Sequence, residues 1–189
     1  MLTNALSRFA ALSARLAAAP QLSCAVFLIA ACASASLVFS CATPFAAFAV
    51  FAAAVLPLRS ALATIVAVWL VNQVIGFGLL GFPHDLNTVL WGLALGIAAA
   101  AATVAAAVLF QRLSQIGRSA IYPLALIASF AAYELCLAAA TPVLGGADGF
   151  GANVVGQLAF LNAVWLAGLV AVAEAARRLN GFARVQAVR

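Results

Sequence analysis

The stretch "VNQVIGFGLLGFPHD", residues 71–85, holds the side chains of this chain best suited to recognising a ligand. Within it, GFGLLG matches G-x-G-x-x-G, the glycine pattern that seats a dinucleotide pyrophosphate on a helix N-terminus. That chemistry needs a strand before the glycines and a helix opening after them. Here Gly76, Gly78 and Gly81 close an apolar run that starts near Ser60, and no acidic residue follows about 20 positions later. The match is accidental. Gly76 and Gly78 read as points of close helix approach, and Gly81 with Pro83 as the end of the helix. More informative is the upstream stripe of Trp69, Asn72, Gln73 and Gly76, spaced i, i+3, i+4, i+7 on one helix face. An amide pair is costly against lipid, because each polar group wants a partner. That stripe must face protein or a polar cavity.

Glu134 is the one carboxylate well inside an apolar run, since Glu174 lies near the end of its own. An ionisable group inside a membrane is a candidate functional residue. It either is protonated and donates to an amide such as Gln157, or is ionised and meets a cationic or hydrogen-donating ligand. Ser129, Tyr133 and Thr141 accompany it. The last run carries Asn153, Gln157 and Asn162, the first two sharing a face at i, i+4. Asn87, Thr88 and Trp91 stand at the start of the fourth run. His84 is the single histidine. Beside Asp85 it reads as a solvated turn residue, or as part of a lid over a pocket. One histidine argues against a b-type haem and is weak as a metal site. Trp91 suits an interfacial belt, whereas Trp69 and Trp165 read as core packing or as aromatic walls for a ligand.

These groups sit in a chain of 189 residues that is 68% hydrophobic and 7% charged, far from the balance of a soluble domain. The expected class is an all-α integral membrane protein of one domain, 1–189. Residues 1–20 place Leu2, Leu6, Phe9, Leu12 and Leu16 at helical spacing and read as an amphipathic helix on the membrane surface. Six apolar spans follow, at about 21–40, 44–58, 60–81, 88–110, 119–140 and 151–175, against the roughly 20 residues a crossing needs. The second is short, bracketed by Pro44, Pro57 and Arg59, and reads as tilted less, broken or partly re-entrant. With six spans, all nine arginines fall on one side: Arg8, Arg15, Arg59, Arg112, Arg118, Arg177, Arg178, Arg184 and Arg189. The positive-inside rule then puts both termini in the cytoplasm, in a bacterial inner membrane. The basic balance needs no nucleic acid to explain it.

In that topology, Asn72, Gln73, Glu134, Asn153 and Gln157 come from three helices yet share one depth toward the outside. The expectation is a pocket opening outward. Its candidate ligand-binding residues are Trp69, Asn72, Gln73, His84, Tyr133, Glu134, Asn153, Gln157 and Asn162. No catalytic, metal or cofactor site is expected. HExxH, GxSxG and P-loop patterns are absent, and one histidine, no lysine and four acids leave little for acid–base work. Cys24, Cys32, Cys41 and Cys136 show no metal spacing and read as packing residues. "IAAC", residues 29–32, looks like a lipoprotein cleavage box, but more apolar sequence follows it, so an uncleaved first helix is expected. Ala31 with Ala35, Cys32 with Ser36 and Ser40, and Gly92 with Gly96 and Ala100 form small-residue rows that suit close helix contacts.

Six spans, about 190 residues, both ends inside and polar groups gathered toward the outer face together resemble the substrate-binding (S) components of energy-coupling-factor vitamin transporters. The stretch Ala31-Cys32-Ala33-Ser34-Ala35 fits the small-residue spacing by which that family's first helix meets its coupling subunit. The resemblance implies capture of a small polar micronutrient, a vitamin or precursor, from outside. It also implies a membrane coupling protein and cytoplasmic ATPases as partners. The alternative is a structural or assembly subunit of a larger membrane complex, in which the amides only tie helices together.

Overall fold

The computed structural model describes residues 21–38, 42–115 and 117–186, without the side chains of 118, 119 and 179–186. The amphipathic helix expected over 1–20 lies outside the described residues. Among those described, every regular element is helical: α1 (Gln21–Val38), α2 (Phe45–Val55), α3 (Leu58–Val74), α4 (Leu86–Arg112), α5 (Arg118–Leu144) and α6 (Ala152–Gln186). A π-helical turn, Ile75–Leu79, continues α3, and a 3₁₀ turn, Ala147–Phe150, precedes α6. Five stretches are long and apolar enough to cross a membrane: Gln21–Val38, Leu58–Leu79, Leu86–Arg112, Ala120–Leu144 and Ala152–Arg178. The chain thus has the build of a multi-pass membrane protein.

Local chemistry sets the helix ends. Pro44 and Pro57 precede α2 and α3, where the missing N–H costs nothing. Asp85 caps α4 through its own side chain: Oδ1 accepts from the Thr88 amide at 2.9 Å and Oδ2 from the Thr88 hydroxyl at 2.9 Å. Those bonds hold the exposed Asp85 carboxyl below its ordinary value. The cap is therefore charged at neutral pH, and its contribution fades only as pH falls through that lowered value. α5 stops at Gly145 and Gly146, whose φ angles of 80° and 81° suit residues without a Cβ. α6 runs well past the expected end near residue 175. Glu174 pairs with Arg177 at 2.7 Å and Arg178 at 3.2 Å, so charge pairing one turn apart carries the helix onward.

Contacts between helices give their directions. On α1 and α3, Gln21 meets Ser60, Cys32 meets Val68 and Ser36 meets Asn72, so the two run the same way. α2 runs against α1, since Phe51 lies on Phe27 while Thr43, just ahead of α2, reaches Ser36. α4 opposes α3 (Trp69 against Gly92 and Gly96), α5 opposes α4 (Ser129 bonds Ala102, Tyr122 meets Phe110), and α6 follows α2 (Asn162 with Ala47, Trp165 with Phe48). The six helices therefore alternate in direction.

At the centre is α2. Its sequence, FAAFAVFAAAV, is apolar all round, and every residue from Phe45 to Ala52 is buried. At 11 residues it spans about 16 Å, half the roughly 30 Å of a hydrocarbon core. Packing against it are Ala98, Ala99, Ala102 and Ala106 of α4, all fully buried. With lipid on the outside, burial of apolar surface does not hold such helices together; close approach of small side chains does. The alanine runs of α2 and α4 supply that approach.

A helix that begins inside a bundle leaves N–H groups without partners, and no water is there to take them. Three devices meet this demand at the start of α2. Pro44 has no N–H. The Phe45 amide donates to the Thr43 carbonyl at 2.8 Å. The Ala47 amide donates to Oδ1 of Asn162, brought in from α6, at 2.9 Å. Asn162 is itself nearly fully buried, and its Nδ2 donates to the Leu158 carbonyl at 2.9 Å. Beside it, Asn72 of α3 donates both amide hydrogens, to Ser36 Oγ at 2.9 Å and to Thr43 Oγ1 at 2.9 Å. Tyr133 of α5 stacks on Phe45 with ring centroids 6.2 Å apart. Residues 43–47 are thus clasped by α1, α3, α5 and α6.

Removing the Asn162 acceptor strands a buried amide, so Asn162→Leu is expected to lower stability by about 1–3 kcal/mol. Asn153→Leu, on the exposed face of the same helix, is expected to change nothing. Thermal unfolding of both variants in one detergent compares them; equal melting temperatures would rule out the capping role.

Candidate functional site

The end of the bundle opposite the arginines carries a cavity of about 270 Å³ between α3, its π-helical turn and the start of α4. Asn72, Gln73 and Gly76 form one wall, Phe77, Phe82 and Pro83 the roof, and Thr88, Trp91, Gly92 and Leu95 the other wall. The π-helical turn builds the roof. Such turns insert an extra residue per turn and recur at functional sites. After it, Gly81 at φ 68° turns the chain back, so that Phe82 folds onto Gly76. A Cβ on Gly76 would lie 2.7 Å from that ring. His84 is exposed, its ring 5.4 Å from that of Phe77.

Two glycines of α4 set the cavity's base. Gly92 stands against the Gln73 side chain, and its carbonyl accepts from Trp69 Nε1 at 2.8 Å. Gly96 stands against the Trp69 ring, where a Cβ would come within 2.8 Å. Gln73 Nε2 donates to Asn72 Oδ1 at 3.1 Å. With Asn72 held by Ser36 and Thr43, the polar chain runs from the start of α2 to the cavity wall. Gln73 is its free end on the cavity side. The walls are aromatic and aliphatic with amide and hydroxyl groups at the edge, and no charged side chain lines them. That inventory can hold a small flat molecule and satisfy a few of its polar atoms; it cannot move protons.

Of the residues expected in an outward pocket, Asn72 and Gln73 line this cavity, Trp69 supports its base and His84 adjoins its roof. The others do not join them. Tyr133 and Asn162 serve the start of α2. Asn153 and Gln157 are exposed on the far face of α6. Placing both on a polar interior face is therefore corrected: α6 turns Asn162, Leu166 and Leu169 inward, and Asn153 and Gln157 fall on the opposite side. Glu134 also lies away from the cavity. Its Oε1 is buried and has no hydrogen-bond partner among the described residues. The convergence drawn from shared depth fails in direction around the helices.

Other small-residue expectations resolve in the same way. Gly78 meets no neighbour, so only Gly76 serves close packing, and it does so against Phe82 of its own turn. Ala35 is fully buried inside the bundle, so the Ala31–Ala35 pair does not form an outward face. Trp91 lines the cavity and also lies beneath Gly146, 3.4 Å from where its Cβ would be. Sequence reasoning missed Phe77 and Phe82. The signal for them was available: two glycines spaced IGFG loosen the helix just where the apolar run ends.

No protein-family model matches the chain, and no curated protein or solved structure matches it either. The site stands on its geometry.

The two α4 glycines separate site from scaffold. Gly92→Ala meets only the movable end of Gln73 and is expected to leave unfolding nearly unchanged while swinging that amide. Gly96→Ala meets the Trp69 ring, which is pinned by its own hydrogen bond, and is expected to destabilise by about 1–3 kcal/mol. Equal thermal shifts for the two would contradict this. Glu134→Leu removes a buried oxygen that has no partner, so its melting temperature is expected to equal or exceed that of the parent. A clear drop would show that the carboxylate has a structural partner.

Proposed function

We propose that this chain is a membrane transporter subunit that captures a small polar solute on the outer side of a bacterial inner membrane, for uptake driven by partner subunits. The observation that carries this reading is the cavity walled by Gln73, Asn72, Phe77, Phe82 and Trp91 at the end opposite the arginines. Rings on several sides with amides at the edge suit a small vitamin or precursor. Alternating helix directions support six crossings, the second of them through the short α2. The positive-inside rule then puts the arginine-bearing end, and both termini, in the cytoplasm. The chain has no nucleotide-binding loop, so the energy for uptake falls to others. A coupling membrane subunit and cytoplasmic ATPases fit this role, as in the substrate-binding components of energy-coupling-factor transporters.

A second reading, a structural or assembly subunit without a ligand, is favoured by one observation. Asn72 and Asn162 spend their hydrogen bonds inside the bundle. Native mass spectrometry of the purified chain distinguishes the two. Capture predicts a co-purified small molecule that Trp91→Ala or Gln73→Ala weakens at least tenfold, while both variants stay folded. A chain that never carries a small molecule, or variants that hold it as tightly as the parent, would refute capture in favour of assembly.

A further inference from the structure

A second cavity, three times larger at about 810 Å³, opens at the arginine-bearing end. Its origin is geometric. α6 packs along α2 and scarcely touches α5, so a gap remains between the end of α4, the start of α5 and the end of α6. Phe27, Phe51, Phe110, Tyr122 and Val170 wall its interior, and Ser114 and Arg177 stand at its mouth. Arg112 ends α4 one residue before Leu113, which also lines it.

Among the described side chains, the charge at that end is unbalanced. Arg177 and Arg178 share the single carboxylate of Glu174, and Arg112 has no ion pair among the described residues. These three arginines stand with one glutamate, a net charge of +2 (3 − 1), and of these Arg177 lines the apolar cleft. An apolar cleft under a cationic rim at a membrane boundary matches one kind of molecule: a chain of hydrocarbon ending in an anionic head. A neutral solute would leave Arg112 without a counter-charge, and a soluble anion would leave the cleft empty.

We infer that this cavity is a binding site for an anionic phospholipid, its acyl chains between Phe27, Phe51 and Phe110 and its phosphate at Arg112 and Arg177. The lipid closes the gap that the described residues leave between α5 and α6. It sits at the opposite end from the candidate solute site, so either can exist without the other.

The test uses the full chain in mild detergent, exchanged against phosphatidylglycerol or phosphatidylcholine and read by native mass spectrometry and thermal unfolding. Phosphatidylglycerol is expected to be retained at one molecule per chain and to raise the melting temperature, with phosphatidylcholine doing neither. The double variant R112Q/R177Q, altered only at exposed side chains, is expected to cut retention by about fivefold per arginine. Ala173→Phe, which fills the cleft from its wall, is expected to abolish retention without the head-group charges changing. Equal retention of the two lipids, or unchanged phosphatidylglycerol binding in both variants, would overturn the inference.

Discussion

The start of a helix in the middle of an apolar bundle is the constraint around which this molecule is organised. At 11 residues α2 is shorter than a hydrocarbon core is thick and its start is buried among other helices, so its first amides must be satisfied by protein. Asn162 reaches across from α6 to take one of them. Pro44 removes another, and Thr43 accepts twice, from the Phe45 amide through its carbonyl and from Asn72 through its hydroxyl. Because hydrogen bonds left unmade in such surroundings cost more than made ones gain, these side chains fix where α1, α3 and α6 sit relative to α2. The alanines of α2 and α4 then fill the space between with close backbone contact.

That clasp divides the bundle. On the side away from the arginines, the hydrogen-bonded chain from Thr43 through Asn72 ends at Gln73, which borders a small aromatic cavity roofed by the π-helical turn. On the arginine side, α5 and α6 part and leave a larger apolar cleft. The two cavities differ in the way their surroundings do. One has amides, rings and a capped helix start with His84 and Asp85 nearby; the other has rings, aliphatic walls and a cationic mouth. The side chains that could speak to solutes are thus few, since Asn72 and Asn162 are already committed to structure. Glu134 stands apart from both cavities, with an oxygen the described residues leave unpaired.

Much of the architecture was legible before any coordinate. Apolar runs separated by Pro, Gly and Arg placed the helices, and the shortness of the second run pointed to its unusual role. The stripe of Trp69, Asn72, Gln73 and Gly76 did face a polar contact and a cavity. Gly92 and Gly96 did mark close packing. What the sequence misled on was direction around each helix. Asn153 and Gln157 share a face, but nothing in a nearly uniform apolar run says whether that face is the inward one. In a soluble helix the apolar stripe marks the core; here lipid and core are equally apolar, so that signal vanishes.

Position along the bundle axis is therefore what the sequence itself determined. It follows from counting residues between boundary arginines, prolines and turns at 1.5 Å per residue. Rotation of each helix, and hence which polar side chains meet, was decided by tertiary structure alone. The physical reason is that those rotations answer to a single buried demand, the free amides at the start of α2. That demand exists only once a helix too short to reach water is enclosed by five longer ones.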